Sequence, residues 1–191
     1  MRITKDPEIR RQEILDTAGA LFESNGIGKT SMAEIAEAVG VAKGLVYYYF
    51  ASKEALIEAI IDQFIHKLDE ALADIVARGD LDFYAKLNAI LNLYFHFIQN
   101  HPTVLVLSPA NSEVFNLLRD RLSDIALNHA LVLLQQGAGQ NVIRIRYPEY
   151  MLKILIRGLG DLYIDGVRQL EIHAALIEQT LGLEPGQLRL A

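Results

Sequence analysis

Residues 31–50, SMAEIAEAVGVAKGLVYYYF, decide the fold because they predict two short helices joined by a tight turn. Ser31 and Glu34 have the spacing of a capping box, which predicts a helix that begins after Ser31. Gly40 tolerates the left-handed backbone of a turn, and Ala36 leaves room where two helix axes approach. The stretch therefore predicts a helix-turn-helix, wedged together by apolar residues at Ile35, Val39, Val41, Val46 and Phe50.

The second of these helices carries three consecutive tyrosines, Tyr47–Tyr49. At ~100° per residue they spread over ~200° of a helix surface, so they cannot all be buried. Val46 and Phe50 are four residues apart and occupy the inward side. We therefore expect Tyr47 and Tyr48 to be at least partly exposed.

The residues around the tyrosines suit contact with double-stranded DNA. Tyrosine hydroxyls beside Lys43 and Lys53 are donors of the kind that bind phosphate oxygens. Gly44 allows a base edge to approach closely, and Leu45 is suited to contact a thymine methyl group. We expect this helix to enter a groove of the duplex.

Helical periodicity continues through the rest of the chain, and no segment shows sustained strand alternation. Asp6-Pro7-Glu8 predicts the start of the first helix and Gly26 its end. The remaining helices are predicted at about 42–49, 53–77, 81–99, 103–108, 111–136, 148–168 and 170–182. The fold class is all-α, with a three-helix DNA-binding domain at 1–52 and a larger helical body at 53–191, to which the family resemblance given below assigns effector binding and dimerisation.

Composition agrees with this division. Residues 1–55 contain seven Lys/Arg and eight Asp/Glu, a net charge of −1, so most of the total of −6 lies in the body. Because the DNA-binding domain is nearly neutral, we expect it to bind DNA through a few specifically placed contacts and not through a general excess of positive charge. The first residues lack the apolar core of a secretory signal, no run has the ~18 apolar residues of a membrane span, and cysteine is absent. Cytoplasm is the expected compartment, with no membrane partner.

The stretch from Thr30 to Leu56 resembles the tetracycline-repressor (TetR) family of bacterial regulators. The resemblance rests on TSMAEIA, then GVAKGLVYYYF, then SKEAL, in fixed spacing. It covers about the first 60 residues closely and the rest only by helix number and length. It implies a homodimeric transcriptional regulator whose middle helices enclose a pocket, with small-molecule binding separating the two recognition helices.

The resemblance also implies roles for individual positions. Thr30, Ser31 and Lys53 would bind phosphate, and Lys43–Leu45 would face bases. Ala42 departs from the family's usual hydroxyl N-cap and Leu45 from its usual Thr, so readout at Leu45 would be apolar. An alternative remains open for three of these residues. Thr30 could be only a local cap, Lys53 a solvated residue in the first turn of its helix, and Tyr49 an aromatic residue at the rim of the core. The full implied set is Thr30, Ser31, Lys43, Gly44, Leu45, Tyr47, Tyr48, Tyr49 and Lys53.

The last two helices are apolar around much of their circumference, which favours burial on two sides. A two-fold four-helix bundle would cover the second side, and it would also present two recognition helices to DNA half-sites. We expect a homodimer through these helices. The expected interface residues are Leu155, Gly158, Leu159, Leu162, Ile172, Leu176 and Ile177.

Aromatic residues and histidines in the middle helices are candidates for an effector pocket that would suit a bulky, mostly apolar molecule. Ordinary core packing is the open alternative for each of them. The candidates are Tyr94, His96, His101, Phe64, Phe115 and His129.

Other classes of function receive little support from the sequence. No catalytic motif is present, and the five histidines are scattered without metal-ligand spacing, so no catalytic residue, cofactor or metal is expected. Two alternatives stay open beside an effector-released repressor at a palindromic operator. One is an architectural DNA binder without effector control, and the other is an all-α enzyme carrying a structural helix-turn-helix. Activation rather than repression also stays open.

Overall fold

A computed structural model describes residues 6–100, 112–139 and 145–190, without the side chains of 97, 98, 100, 112–115 and 139. These residues form eight α-helices and no strand, which confirms the all-α prediction. The helices are α1 (Pro7–Asn25), α2 (Met32–Val39), α3 (Lys43–Tyr49), α4 (Lys53–Ala77), α5 (Phe83–Asn100), α6 (Ser112–Gly139), α7 (Pro148–Ile164) and α8 (Leu170–Leu181). The helix predicted at 103–108 lies outside the described residues. Within the described ranges, no helix has the length and apolar character needed to cross a membrane.

The helices belong to two compact units. The N-terminal unit contains the chain up to His66 together with the start of α6, up to Leu118. The second unit, called the body below, contains Lys67–Asn100 and the chain from Arg119 onward. Helix α4 begins at Lys53 and contributes to both units. The domain boundary between residues 52 and 53 therefore stays a prediction.

Helix α1 forms where the sequence predicts it. The Asp6 carboxylate accepts a hydrogen bond of 2.8 Å from the backbone N–H of Glu8, and Pro7 occupies the first helical position. Gly26 ends the helix with a φ of 86°, a backbone conformation that other residues rarely adopt. A short 3-10 helix, Ile27–Lys29, then leads to α2. The buried face of α1 consists of Ile14, Leu15, Ala18 and Phe22.

The core of the body joins α5, α6, α7, α8 and the segment after α8. Its close packing is visible at Gly137 of α6, where an added Cβ would lie 2.8 Å from two ring carbons of Phe83. Only glycine fits there without a shift of the ring. The buried members of the core are Phe83, Leu87, Leu133, Leu134, Leu152, Ala174, Ile177, Leu181, Leu183 and Leu188.

Helix α7 ends at Ile164, four residues before the predicted end at 168. Gly166 has a φ of 95°, and Val167 N donates to the carbonyl of Leu162 at 2.9 Å. This left-handed turn closes the last turn of α7 and lets the chain reverse into α8. Apolar periodicity alone predicted the longer helix because Val167 continues the apolar pattern.

The segment that follows α8 is held by side chains rather than by a helix of its own. The buried Glu178 carboxylate accepts hydrogen bonds from Leu188 N at 2.7 Å and Gly186 N at 3.0 Å. These backbone donors lower the pKa of Glu178, the bond from Leu188 most of all. The Asn88 side chain of α5 accepts from Arg189 N at 2.6 Å. Leu183 and Leu188 are thereby fixed in the core.

Candidate nucleic-acid interface and ligand cavity

Helices α2 and α3 form the helix-turn-helix that the sequence predicts. Ser31 Oγ accepts from Glu34 N at 3.2 Å, and the Glu34 carboxylate accepts from Ser31 N at 2.7 Å, which completes the capping box. The bond that the carboxylate accepts from Ser31 N does most to lower the pKa of Glu34. Gly40 has a left-handed φ of 75°, and Val41 N donates to the carbonyl of Ala36 at 2.9 Å. The turn therefore has a fixed geometry.

The wedge between the two helices is apolar. Ile35 and Val46 are fully buried, Phe50 is nearly so, and Val39 and Val41 are half-buried. The Arg11 guanidinium of α1 lies 5.1 Å from the centre of the Phe50 ring, a cation–π distance. A side chain of α1 thus contacts the residue that follows α3.

The outer face of α3 is aromatic and basic. Tyr48 is 79% exposed and Tyr47 is 43% exposed, although both are large side chains with apolar rings. Lys43 Nζ lies 5.6 Å from the centre of the Tyr47 ring, so the two side chains form one surface. Gly44 is exposed, and an added Cβ there would meet nothing within 4 Å. This face can receive a partner surface without rearrangement.

Leu45 and Tyr49 lie at the edge of that face, where both are half-buried. The Tyr49 ring packs edge-on against Tyr48, with 5.2 Å between the ring centres. This placement agrees with the alternative that Tyr49 is a residue at the rim of the core. Ala42 is the N-cap residue of α3 and makes no side-chain hydrogen bond, because its methyl group has neither a donor nor an acceptor.

Thr30 and Lys53 differ from the expectation of solvent-facing phosphate ligands. Thr30 is 1% exposed, and its hydroxyl lies 3.1 Å from the carbonyl oxygen of Gly26 and 3.3 Å from that of Leu21. Its side chain serves as the local cap that the sequence left open. Lys53 is half-buried and donates from Nζ to the carbonyl of Ile27. Lys53 thus has a structural partner, and its phosphate contact stays a prediction.

The body contains a partly open apolar cavity of about 100 Å³, lined by residues of α5, α6, α7 and α8 and by Leu72 of α4. Of the described residues that line it, none carries a charge. Tyr94 and Tyr163 contribute the aromatic polar side chains of the lining, beside aliphatic residues such as Leu155, Leu159 and Ile177. Burial raises the pKa of Tyr94 to about 12, so its hydroxyl stays neutral. The arrangement can hold an uncharged apolar molecule.

Of the predicted pocket residues, the structure places Tyr94 at the cavity. His96 is exposed, because it lies two residues after Tyr94 and therefore on another side of α5. The His129 ring lies 2.7 Å from an Asp69 carboxylate oxygen and is not among the lining residues. Phe64 is not among the lining residues of this cavity either, and its role in effector binding stays a prediction. His101 and the Phe115 side chain lie outside the described residues.

The residues of the expected dimer face on α7 and α8 differ in exposure, and the interface itself stays a prediction. Gly158 is exposed and Ile172 is 44% exposed, while Leu162 and Leu176 are half-buried. Three predicted interface residues belong to the interior of the body instead, because the cavity gives α7 and α8 a second apolar environment. They are Leu155 and Leu159, which line the cavity, and Ile177, which is 2% exposed in the core.

The sequence reading missed apolar side chains on the outer face of α7. Tyr150 and Ile154 lie two turns and one turn before Gly158, at 64% and 72% exposure. Steps of four residues back from Gly158 would have found both. Ile164 is 51% exposed near the end of the same helix. Together they leave an apolar surface that no part of the described chain covers.

Comparison with known proteins agrees with this architecture. Residues 14–60 match the model of the bacterial regulatory proteins of the tetR family. The chain is 36% identical over 152 residues to the HTH-type transcriptional repressor KstR2 of Rhodococcus jostii, an alignment that covers 80% of this chain and 66% of the relative. The match covers about half of the length of other curated relatives.

Solved structures share the fold at lower identity. A transcriptional regulator from Cytophaga hutchinsonii has a TM-score of 0.75 at 21% identity, with 93% of this chain and 98% of that one covered. RolR in complex with resorcinol has a TM-score of 0.67 at 18% identity, with 93% and 89% covered. At these identities the likeness establishes the fold.

The fold and its exposed recognition helix define a helix-turn-helix regulator. The chain belongs to the TetR family of bacterial regulatory proteins. Members and named relatives are DNA-binding transcriptional regulators and not enzymes, so the non-enzymatic assignment is confirmed.

Proposed function

We propose that this chain is a sequence-specific repressor that binds a palindromic operator as a homodimer and is released by a small, mostly apolar molecule. The observation that carries the proposal is the exposed face of α3, where Tyr47, Tyr48 and Lys43 form one continuous surface. A contiguous exposed surface with aromatic rings is typical of an interaction site. Beside a lysine they match the hydroxyl and ammonium donors that hold a DNA backbone.

Within this proposal, each exposed residue of the interface has a chemical role. Lys43 and Tyr47 supply donors to phosphate or to a base edge, and Gly44 lets the base pair approach the helix. Ser31 adds an exposed hydroxyl at the start of α2. Leu45 is half-buried, so it would offer a thymine methyl only part of its side chain.

A homodimer is supported by the uncovered apolar face of α7 and α8. Tyr150, Ile154 and Ile172 are exposed there, and Gly158 would let a second helix approach. Two copies related by a two-fold axis would bury this face and place the recognition helices ~34–36 Å apart, one turn of the duplex.

Release by an apolar effector is supported by the uncharged cavity of the body. Triclosan and resorcinol are the ligands of two structures of this fold, SmeT and RolR. A ligand in this chain would have to be uncharged, because a charge in this lining would lose its hydration without gaining a partner. The cavity also distinguishes the proposal from an architectural DNA binder without effector control.

Selection of bound DNA from random sequence tests the DNA part. We expect enrichment of two inverted half-sites, with centres ~10 base pairs or a multiple apart. Lys43→Ala should weaken binding and lower the salt slope by roughly one. Lys67→Ala, an exposed lysine of α4, is the matched control and should change neither. Recovery of a single unrepeated site would contradict the dimer, and no enrichment would contradict sequence-specific binding.

The effector part is tested on the selected operator by fluorescence anisotropy. Uncharged aromatic and alicyclic molecules should displace the protein from DNA, whereas their carboxylate analogues should not. A reporter gene downstream of the operator separates repression from activation, and we expect lower transcription with the protein present. Displacement by the carboxylates alone would contradict the apolar assignment.

A further inference from the structure

His173 of α8 is a buried polar residue beside the cavity, and the proposed function does not account for it. It is 0% exposed, and it lies four residues before Ile177 on the same face of α8. Ile177 lines the cavity, as do Phe95 and Tyr163. The His173 ring contacts these two aromatic residues, with 5.1 Å to the centre of Phe95 and 6.3 Å to that of Tyr163. It therefore lies directly behind the cavity wall.

One hydrogen bond determines which ring nitrogen of His173 carries the proton when the ring is neutral. Nε2 lies 2.7 Å from the carbonyl oxygen of Val167, in the turn that joins α7 to α8. A carbonyl can only accept, so in the neutral ring the proton is on Nε2 and the lone pair is on Nδ1. Within the described part of the chain, His173 Nδ1 has no hydrogen-bond partner. An acceptor buried in this way is costly unless a donor reaches it.

We propose that His173 Nδ1 selects the effector, which is a compact, uncharged, mostly apolar molecule that carries a hydroxyl group. The hydroxyl donates to Nδ1 and the apolar body fills the cavity. A rotation of the Phe95 or Tyr163 side chain opens the path between them. The inference rests on the proposed function, because it specifies the chemistry of the ligand of that same cavity.

Charge and size point to the same class of ligand. The described lining contains no cation that would pair with a carboxylate or phosphate. A cavity of about 100 Å³ is of the same order as the ~150 Å³ cavity known to hold benzene, so the ligand has about the size of one ring. A buried water is the competing donor, but a water needs ~2–4 polar partners. Nδ1 and at most the hydroxyl of Tyr163 would give a water two partners, the minimum of that range, so the nitrogen-15 experiment below separates a water from a ligand.

Fluorine NMR titration with three matched probes tests the selection. The probes are 4-fluorophenol, 4-fluoroanisole and fluorobenzene, which share a fluorinated ring and differ in whether they can donate. We expect the full-length protein to bind 4-fluorophenol roughly tenfold tighter than either of the others. Equal affinity for all three would overturn the role of His173 and leave an apolar effector intact. Binding of none of them would overturn both the inference and the proposed effector control.

Substitutions assign the preference to one atom. His173→Phe keeps an aromatic ring without an acceptor and should reduce the phenol preference to about onefold. His173→Asn retains an acceptor near the position of Nδ1 and should recover part of it. Tyr94→Phe removes a hydroxyl of the lining and should leave most of the preference in place. If Tyr94→Phe abolished the preference and His173→Phe did not, the donor would pair with Tyr94 and the inference would be wrong.

Nitrogen-15 NMR of the histidine side chains tests the same bond without a substitution, so a variant that fails to fold does not decide the matter. The unprotonated nitrogen of His173 should move toward the hydrogen-bonded range when 4-fluorophenol is added and should stay in place with fluorobenzene. A signal that is already in the hydrogen-bonded range without ligand would indicate a resident water and would overturn the inference.

Discussion

The N-terminal unit and the body reach stability in different ways. In the N-terminal unit, most described side-chain hydrogen bonds join residues within four positions, as those between Ser31 and Glu34 do, and the bond from Lys53 to Ile27 spans 26 residues. In the body, Asn88 and Arg189 are joined across 101 residues, and His173 keeps a buried nitrogen without a partner in the described chain. The first unit is built as a rigid surface for a fixed partner. The second retains unused space and an unused acceptor, which is what a ligand can exploit.

The largest expected effect is a loss of stability when a large apolar side chain is shortened, and it is compared between one site in each unit. Ile35→Ala leaves a cavity in a fully packed wedge and should cost about 2–5 kcal/mol. Leu159→Ala removes a half-buried side chain that already borders empty space, so we expect a loss below about 2 kcal/mol. Urea unfolding at equal protein concentration measures both. Equal losses would contradict the difference in packing.

The second effect concerns the carboxylate that fastens the segment after α8. Glu178→Ala leaves two backbone N–H groups without their acceptor and should cost about 2–4 kcal/mol, as measured by urea unfolding. Because its pKa is lower in the folded state, the contribution is complete above the unfolded pKa and is lost as pH falls through the folded pKa. Glu178→Gln should flatten this acid dependence.

Glu184→Gln is the control for the carboxylate, since Glu184 is exposed and follows α8 directly. Its unfolding should keep the acid dependence of the parent chain. If Glu178→Gln titrated like the parent, the dependence would have to come from another group.

A third, smaller effect compares a helical glycine in each unit. Gly137→Ala places a Cβ 2.8 Å from the Phe83 ring, and this overpacking should cost about 1–3 kcal/mol. The gain in helix propensity is only roughly 0.5–1 kcal/mol, so we expect a net loss of stability. Gly19→Ala on α1 meets nothing within 4 Å and should stabilise by about 0.5–1 kcal/mol. Thermal melts should therefore move in opposite directions. A rise of Tm in both variants would show that Phe83 gives way freely.

The smallest effect concerns Lys53, which bonds the Ile27 carbonyl. Lys53→Ala should cost about 1 kcal/mol through that hydrogen bond. The ammonium keeps further protons for a phosphate, so we also expect the salt slope of DNA binding to fall by roughly one. Lower stability with an unchanged salt slope would assign the residue to the Ile27 bond alone.

Local sequence signals were sufficient for the helix-turn-helix and insufficient for much of the body. The capping box at Ser31 and the turn at Gly40 depend on residues within four positions, so their spacing predicts them directly. Thr30 could not be placed, because its hydroxyl reaches the Leu21 carbonyl nine residues earlier. The orientation of His96 could not be predicted for a similar reason, since only the packing of the helices decides which side of α5 faces the cavity.

The predicted interface on α7 illustrates a different limit of prediction from sequence. An apolar residue such as Leu159 satisfies the pattern equally well against its own core or against a second chain. The apolar pattern of a helix indicates that it is buried on two sides, but it does not say which side chains face the chain's own core and which face a second chain. Ile154 and Tyr150 carry the same signal, and only their exposure in the folded chain separates them from Leu155.

The exposed tyrosines of α3 also determine how the protein can be observed. The chain contains eight tyrosines and no tryptophan, so tyrosine fluorescence is not lost by energy transfer to an indole ring. Tyr47 and Tyr48 therefore emit from the surface of the recognition helix itself. The unlabelled protein carries its own optical reporter at the place where stacking or contact with a duplex would quench it.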